Sequence, residues 1–208
     1  MKKSIVLAAL MAAAPFAAVA GAPSYNYVEA GYLQTDIDDL GDGDGVAING
    51  SVALNDMFHL FGGYSAQQGE DGGVDVDLDQ FRAGVGFRHA ISDRADLLVR
   101  AAYERQETEV SVDSTGFRST AESDGFSIET GYRGYLFENL DAWALVGYSK
   151  LQNADVNGSS VDTDGSDTDE VYGRLGAQLQ FNPTWGLVGE GMFSSDVTQV
   201  FVGVRASF

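Results

Sequence analysis

The chain has 208 residues, with 31 acidic against 12 basic side chains and a net charge of −19. Phosphates repel so acidic a chain, which argues against nucleic acid as a partner. The lack of cysteine removes disulfides, thiolate metal sites and cysteine nucleophiles together. Twenty-six glycines against three prolines, with 11% aromatics, suit a tightly curved sheet better than a disordered linker.

The chain opens on a basic tripeptide, Met1-Lys2-Lys3. The apolar run Ile5–Ala14 follows, shorter than the roughly 20 residues a spanning helix needs. Ala18-Val19-Ala20 is a small-x-small cleavage site. This is the pattern of a secretory signal peptide, so residues 1–20 are read as a cleaved signal and 21–208 as the mature domain.

The rest alternates with period two, the mark of a strand whose two faces meet different surroundings. A first run covers Tyr25 to Leu33. Val46, Ile48, Val52 and Leu54 then oppose Ala47, Asn49, Ser51 and Ala53. Met57 to Ser65 follows. Phe81, Ala83, Val85 and Phe87 oppose Gln80, Arg82 and Arg88. Leu97, Val99, Ala101 and Tyr103 oppose Arg100 and Glu104. Phe126, Ile128, Thr130 and Tyr132 oppose Glu129 and Arg133. Weaker alternation runs over Asp141–Ser149 and Trp185–Phe193, and clear alternation over Val171–Phe181 and Gln199–Phe208. These ten segments predict an all-β, up-and-down antiparallel barrel of about ten strands.

Short connections at Asn55-Asp56, 90–95, 136–140 and 182–184 alternate with acidic stretches at 35–44, 67–77, 107–123 and 151–168, read as loops. A tight turn at 194–197 joins the last pair. Short turns at one rim and long loops at the other describe a transmembrane barrel of a Gram-negative outer membrane. An even strand number puts both termini at the short-turn rim.

A soluble sandwich also alternates, so the aromatic positions decide. Tyr32, Tyr64, Tyr103, Tyr148 and Phe193 fall at the long-loop level of the apolar face. Phe58, Phe87, Tyr132, Phe181, Trp185 and Phe208 fall at the short-turn level, with Val, Ile, Leu, Ala and Gly between. Two aromatic girdles around an aliphatic waist belong to a barrel in lipid.

The ending Val200-Phe201-Val202-Gly203-Val204-Arg205-Ala206-Ser207-Phe208 resembles the C-terminal assembly signal of bacterial outer-membrane proteins. Three segments resemble the Ax-twenty-one-like barrels of xanthomonad-type bacteria, small OmpA/OmpX-like barrels. They are Tyr25–Tyr32, Phe58–Ser65 and Tyr172–Gln178. The resemblance covers nearly all the mature chain and implies a small outer-membrane barrel. It also implies, as an alternative, a surface or vesicle-borne signalling or immune-eliciting role. Lipopolysaccharide, membrane lipid and the barrel assembly machinery are the expected partners, and a monomer is favoured.

The inward face carries Glu29, Arg82, Arg100, Glu104, Glu129, Arg133, Arg174, Glu190 and Arg205, with Arg88 near the rim. Ten strands enclose a backbone radius of about 10 Å, which these side chains largely fill. The expected role is structural or interactive at the cell surface, over a lumen plugged by ion pairs. The competing role is a narrow porin-like channel for small solutes. His59 and His89 both fall at the short-turn rim, and no nucleophile–base–acid set assembles around either, so no enzyme is read here. No cofactor is expected, beyond divalent cations at the acidic stretches. Asp36, Asp38, Asp42 and Asp44, and Asp162, Asp164 and Asp167, supply spaced carboxylates with glycine, the raw material of Ca²⁺ sites. The acidic residue of a hand-type loop is missing, because its twelfth position after Asp36 is Ala47.

Phe208 ends the strand that must pair with Tyr25–Leu33. Deleting it is expected to lower the folded fraction in outer membranes, read as loss of the heat-modifiable band on gels. An unchanged folded yield removes the assembly-signal reading.

Overall fold

The structure is a computed structural model that describes residues 23–37, 41–71, 73–112, 116–156, 159–160 and 168–208. The expected signal peptide, residues 1–20, lies outside the described residues. The elements are β1 (Tyr27–Ile37), β2 (Gly41–Ala53), β3 (Phe58–Asp71), β4 (Val74–Ser92), β5 (Ala95–Val112) and β6 (Phe117–Phe137). They continue with β7 (Leu140–Val156), β8 (Ser159–Ser160), β9 (Thr168–Gln180), β10 (Trp185–Phe193) and β11 (Val197–Ser207). β8 is a two-residue hook on β7. The other ten are antiparallel to their neighbours and form one closed sheet, sealed by β1 against β11. The chain is thus an all-β barrel of ten strands, as the alternation predicts, with no helix among the described residues.

Polarity is inverted relative to a soluble barrel. Glu129 and Asp96 are each 1% exposed, while Val171 is 66% and Val46 64% exposed. Apolar side chains point out to lipid and charged ones point in. Tyr32, Tyr64, Tyr103 and Phe193 stand exposed at the upper level, and Phe58, Tyr132, Trp185 and Phe208 at the lower.

The lower turns are built locally. Asn55 Oδ1 accepts from the backbone N–H of Met57 (2.8 Å) and Phe58 (2.9 Å). Asn182 Oδ1 does the same for Thr184 and Trp185, both at 2.9 Å. These are Asx turns, which let a four-residue connection reverse the chain.

Three inward glycines receive aromatic rings from the residue directly across the ladder. A Cβ on Gly86 would stand 2.1 Å from the His59 ring, on Gly147 2.4 Å from Tyr172, and on Gly176 2.3 Å from Trp143. The missing side chains are what let large rings lie flat against the wall.

The acidic stretches correct the sequence reading. Most of 35–44, 67–77 and 107–123 is strand and not loop. Positive-φ glycines mark three hairpin tips: Gly41 (φ 91), Gly73 (φ 86) and Gly116 (φ 66). The reason is a change of face. In β4, Phe81, Ala83 and Val85 point outward, yet one step higher Asp75, Asp77 and Asp79 share that parity and Val74, Val76 and Leu78 point inward. The period of two continues while its polarity reverses, as expected where a strand leaves lipid for water.

The reversal sits at the tyrosine girdle. Tyr64 donates to Asp79 at 2.7 Å and Tyr103 to Asp124 at 2.5 Å, and Tyr32 is hydrogen-bonded to Asp44. Each aspartate lies two residues before the cross-strand partner of its tyrosine, and Asp169 holds the same register to Tyr148. Just above, Asp79, Glu107, Glu122 and Asp155 form one continuous row of paired positions across β4 to β7.

Lipid face and rim therefore respond oppositely to a cation. Val99→Arg is expected to cost roughly 2–4 kcal/mol if introduced near the bilayer midplane. Glu107→Arg, which breaks a row of like charges, is expected to stabilise by up to about 1 kcal/mol. Urea midpoints of both variants refolded into liposomes check this. Equal effects of one sign contradict the membrane boundary placed at the tyrosine level.

Candidate functional site

Period two sends every second residue of ten strands into one narrow bore, so the inward charges meet whether or not they are close in sequence. They form two tiers.

The upper tier centres on Glu129 of β6. Arg100 lies directly across the ladder and donates from Nε (2.8 Å) and Nη2 (2.5 Å) to Oε2. Arg82 Nη2 approaches Oε1 at 3.0 Å and Arg174 Nε at 3.2 Å, and the Tyr172 hydroxyl donates to the same oxygen at 2.8 Å. One carboxylate therefore serves three guanidiniums. Arg82 is also 3.1 Å from Glu104, and Ser127 bridges the two, accepting from Arg82 and donating to Glu104 at 2.6 Å. Arg174 reaches Glu190, which also accepts from Trp143 Nε1 at 2.7 Å.

The lower tier has three more pairs. Arg205 donates to Glu29 at 2.6 Å, across the β1–β11 seam. Arg133 donates twice to Asp141, its Nε at 2.8 Å. Arg88 lies 3.4 Å from Asp96, which also accepts from the Tyr25 hydroxyl at 2.9 Å.

Each of these six arginines also faces an aromatic ring. Arg82 and Arg100 stand over Phe61 at 5.3 and 5.1 Å, and Arg174 over Tyr172 at 5.8 Å. Arg205 covers Tyr27 at 4.0 Å, and Arg88 and Arg133 bracket Tyr25 at 4.9 and 4.8 Å. A desolvated guanidinium gains about 2 kcal/mol over such a face. The paired set balances, with three arginines and three carboxylates in each tier.

All nine lumen residues named from the sequence therefore face the bore and touch at least one other charged group. Sequence reasoning missed Asp96 and Asp141, the partners of Arg88 and Arg133. Carrying the inward parity on toward the short turns, from Arg100 through Leu98 and from Trp143, would have found them. It also missed Glu170, which lines the upper end of the same bore.

The two histidines part company. His59 is buried inside, 3% exposed, with its ring 4.7 Å from that of Tyr25. His89 is exposed at the end of β4. Of the acidic cation candidates, Asp36 and Asp42 face each other across β1 and β2, and Asp44 is bonded to Tyr32. Asp38, Asp162, Asp164 and Asp167 lie outside the described residues. No group of three metal-ligating side chains gathers among the described residues.

A family model described as the outer membrane protein beta-barrel domain matches residues 4–197. Among solved structures, the chain is similar to the translocator domain of the autotransporter NalP from Neisseria meningitidis. Identity is 12% and the TM-score 0.49, over 89% of this chain and 90% of that one. It is similar to Neisserial surface protein A at 16% identity and TM-score 0.47, over 89% and 98%. The attachment invasion locus protein Ail of Yersinia pestis gives 12% identity and TM-score 0.46, over 89% and 99%. No curated protein matches the sequence.

Glu129 is the group whose loss strands most charge. Glu129→Ala leaves three guanidiniums short of a partner. It is expected to cost about 3–5 kcal/mol if the site stays dry, and less where water enters. Arg100→Ala is expected to cost less, because Arg82 and Arg174 still hold Glu129. The double variant should recover part of the Glu129→Ala loss. Denaturant midpoints rank the three, and an Arg100→Ala loss equal to that of Glu129→Ala removes Glu129 as the hub.

Proposed function

The chain belongs to the outer-membrane protein β-barrel family, and from that premise we propose that it works at the cell surface through its acidic rim, over a closed lumen largely plugged by two tiers of paired arginines and the rings they cover. It resides in the outer membrane of a Gram-negative bacterium. The observation that carries the reading is the complete pairing of six inward arginines across a bore only ten strands wide. Wide general porins need about 16 strands. Within the family, the segments Tyr25–Tyr32, Phe58–Ser65 and Tyr172–Gln178 support a place among the Ax-twenty-one-like barrels.

The rim supports the interactive half of the reading. Asp79, Glu107 and Glu122 are directly opposed at one level, with Arg105 paired to Glu122 beside them, and like charges directly opposed destabilise a sheet. A partner that brings positive charge relieves that repulsion. Lipopolysaccharide bridged by divalent cations and cationic macromolecules both fit this chemistry. No catalytic role is proposed.

A small-solute channel is the second reading, favoured by one observation. A cavity of about 250 Å³ runs from Gln106 and Gln199 near the upper mouth to Tyr25 and His59 near the lower rim. Planar-bilayer recordings of the refolded protein separate the two. A closed lumen predicts brief, small events near the detection limit. Steady openings of porin size replace the surface reading with the channel.

A further inference from the structure

We propose that Tyr25 is a hinged stopper at the periplasmic end of the lumen, and that it, and not the Glu129 hub, closes the passage to water and small ions. The inference rests on the closed-lumen reading above and names the part that closes it.

The hub is lopsided. Its charges come from β4, β5, β6, β9 and β10. The facing wall of β2 and β3 meets it with the Phe61 ring against Arg82 and Arg100 and with Asn49 beside Gly63, while Ala47 and Ser65 in the same lining are too small to reach across. The cavity passes the hub along this wall and continues into a lower chamber. There Ser51 and His59 line it, 7% and 3% exposed. The same continuous lining takes in Arg82, Arg100 and Arg174 of the hub and Ser51, His59 and Tyr25 below it. The passage therefore does not end at the hub.

It ends at Tyr25. That ring is 4% exposed, tilted against His59 at 4.7 Å and bracketed by Arg88 and Arg133, and its hydroxyl donates to Asp96 at 2.9 Å. Groups from β3, β4, β5 and β6 thus converge on one side chain. The backbone that carries it is held far more lightly. Residues 23–26 precede the ladder, which begins at Tyr27. Their anchor is Asn26, whose Oδ1 accepts from Ala53 N–H at 2.7 Å and whose carbonyl accepts from Phe208 N–H at 3.0 Å. The hub is fixed by five strands, whereas the backbone of residues 23–26 is held, among the described residues, through Asn26 and its bonds to Ala53, Phe208 and Ser24. Opening is easiest where the fewest bonds break.

The test uses the full barrel refolded in planar bilayers, with the heat-modifiable gel band as the check of folding. Tyr25→Ala is expected to raise open conductance several-fold over wild type. Tyr25→Phe, which keeps the ring, is expected to stay at the wild-type level. Because the chain has no cysteine, Ser51→Cys gives a single probe of the lower chamber. A charged, water-soluble thiol reagent should modify it several-fold faster when Tyr25 is Ala. A tight wild type with an equally tight Tyr25→Ala, and unchanged labelling, overturns the stopper and leaves the closed lumen standing. Tyr25→Phe as open as Tyr25→Ala overturns the ring as the closing group. A wild type that conducts strongly and labels fast overturns both readings.

Discussion

The rest of the molecule depends on the pairing of buried arginines with carboxylates inside a wall whose outside is apolar. Lipid rewards apolar side chains on the convex face, so the concave face holds whatever polar groups the sequence carries. Each guanidinium there must find both a counter-charge and a surface to lie on, since a lone buried charge costs several kcal/mol. Direct cross-strand pairs meet the first need: Glu29 with Arg205, Arg82 with Glu104, Arg100 with Glu129. Phe61, Tyr25, Tyr27 and Tyr172 meet the second. The same pairs fix register. A slip of one residue would send Arg100 into lipid and Val99 into the bore, so the alternatives to this pairing are strongly disfavoured. Glu29–Arg205 matters most in this respect, because it lies on the seam that closes the sheet.

Much of this was legible in the sequence, and the reason is physical. A strand between lipid and a packed lumen must alternate, so ten strands, the outward girdles and the nine lumen charges follow from parity alone. What parity could not give was the meaning of alternation once its polarity reversed. Val74-Asp75-Val76-Asp77-Leu78-Asp79 alternates as cleanly as any membrane segment. Its acidity and its glycine neighbours suggested a loop, whereas it is strand with its wet face turned out. Which carboxylate each arginine chooses was also beyond parity. Asp96 stands opposite Arg133 in the ladder, yet Arg133 binds Asp141 and Asp96 binds Arg88 and Tyr25. Choices of that kind depend on how long side chains cross the bore in three dimensions.

Strand continuity links the two halves of the molecule. β4, β5 and β6 run without interruption from the lower turns, through the lipid belt, to tips well above the tyrosine level. The rim consequently needs no core of its own. Its ladder is an extension of one already held by the two tiers below, and Val76, Leu78 and Val110 cover only part of its inner face. An isolated sheet with three carboxylates abreast would be a poor structure. Attached to the belt, it is tolerable, and the surface it presents can be set by what it meets outside.

The two sets of charges also answer differently to their surroundings. Rim carboxylates face water, where added salt screens them beyond about 8–10 Å and divalent cations can bridge neighbours. The tiered pairs lie inside the bore with Glu129, Asp96 and Asp141 each no more than 2% exposed, where salt has little reach. Ionic conditions outside the cell therefore tune repulsion within the rim, while the floor keeps its geometry. A rim that shifts with its ionic environment needs a base that does not, and an ion-paired lumen in an apolar sleeve supplies that base within a single sheet.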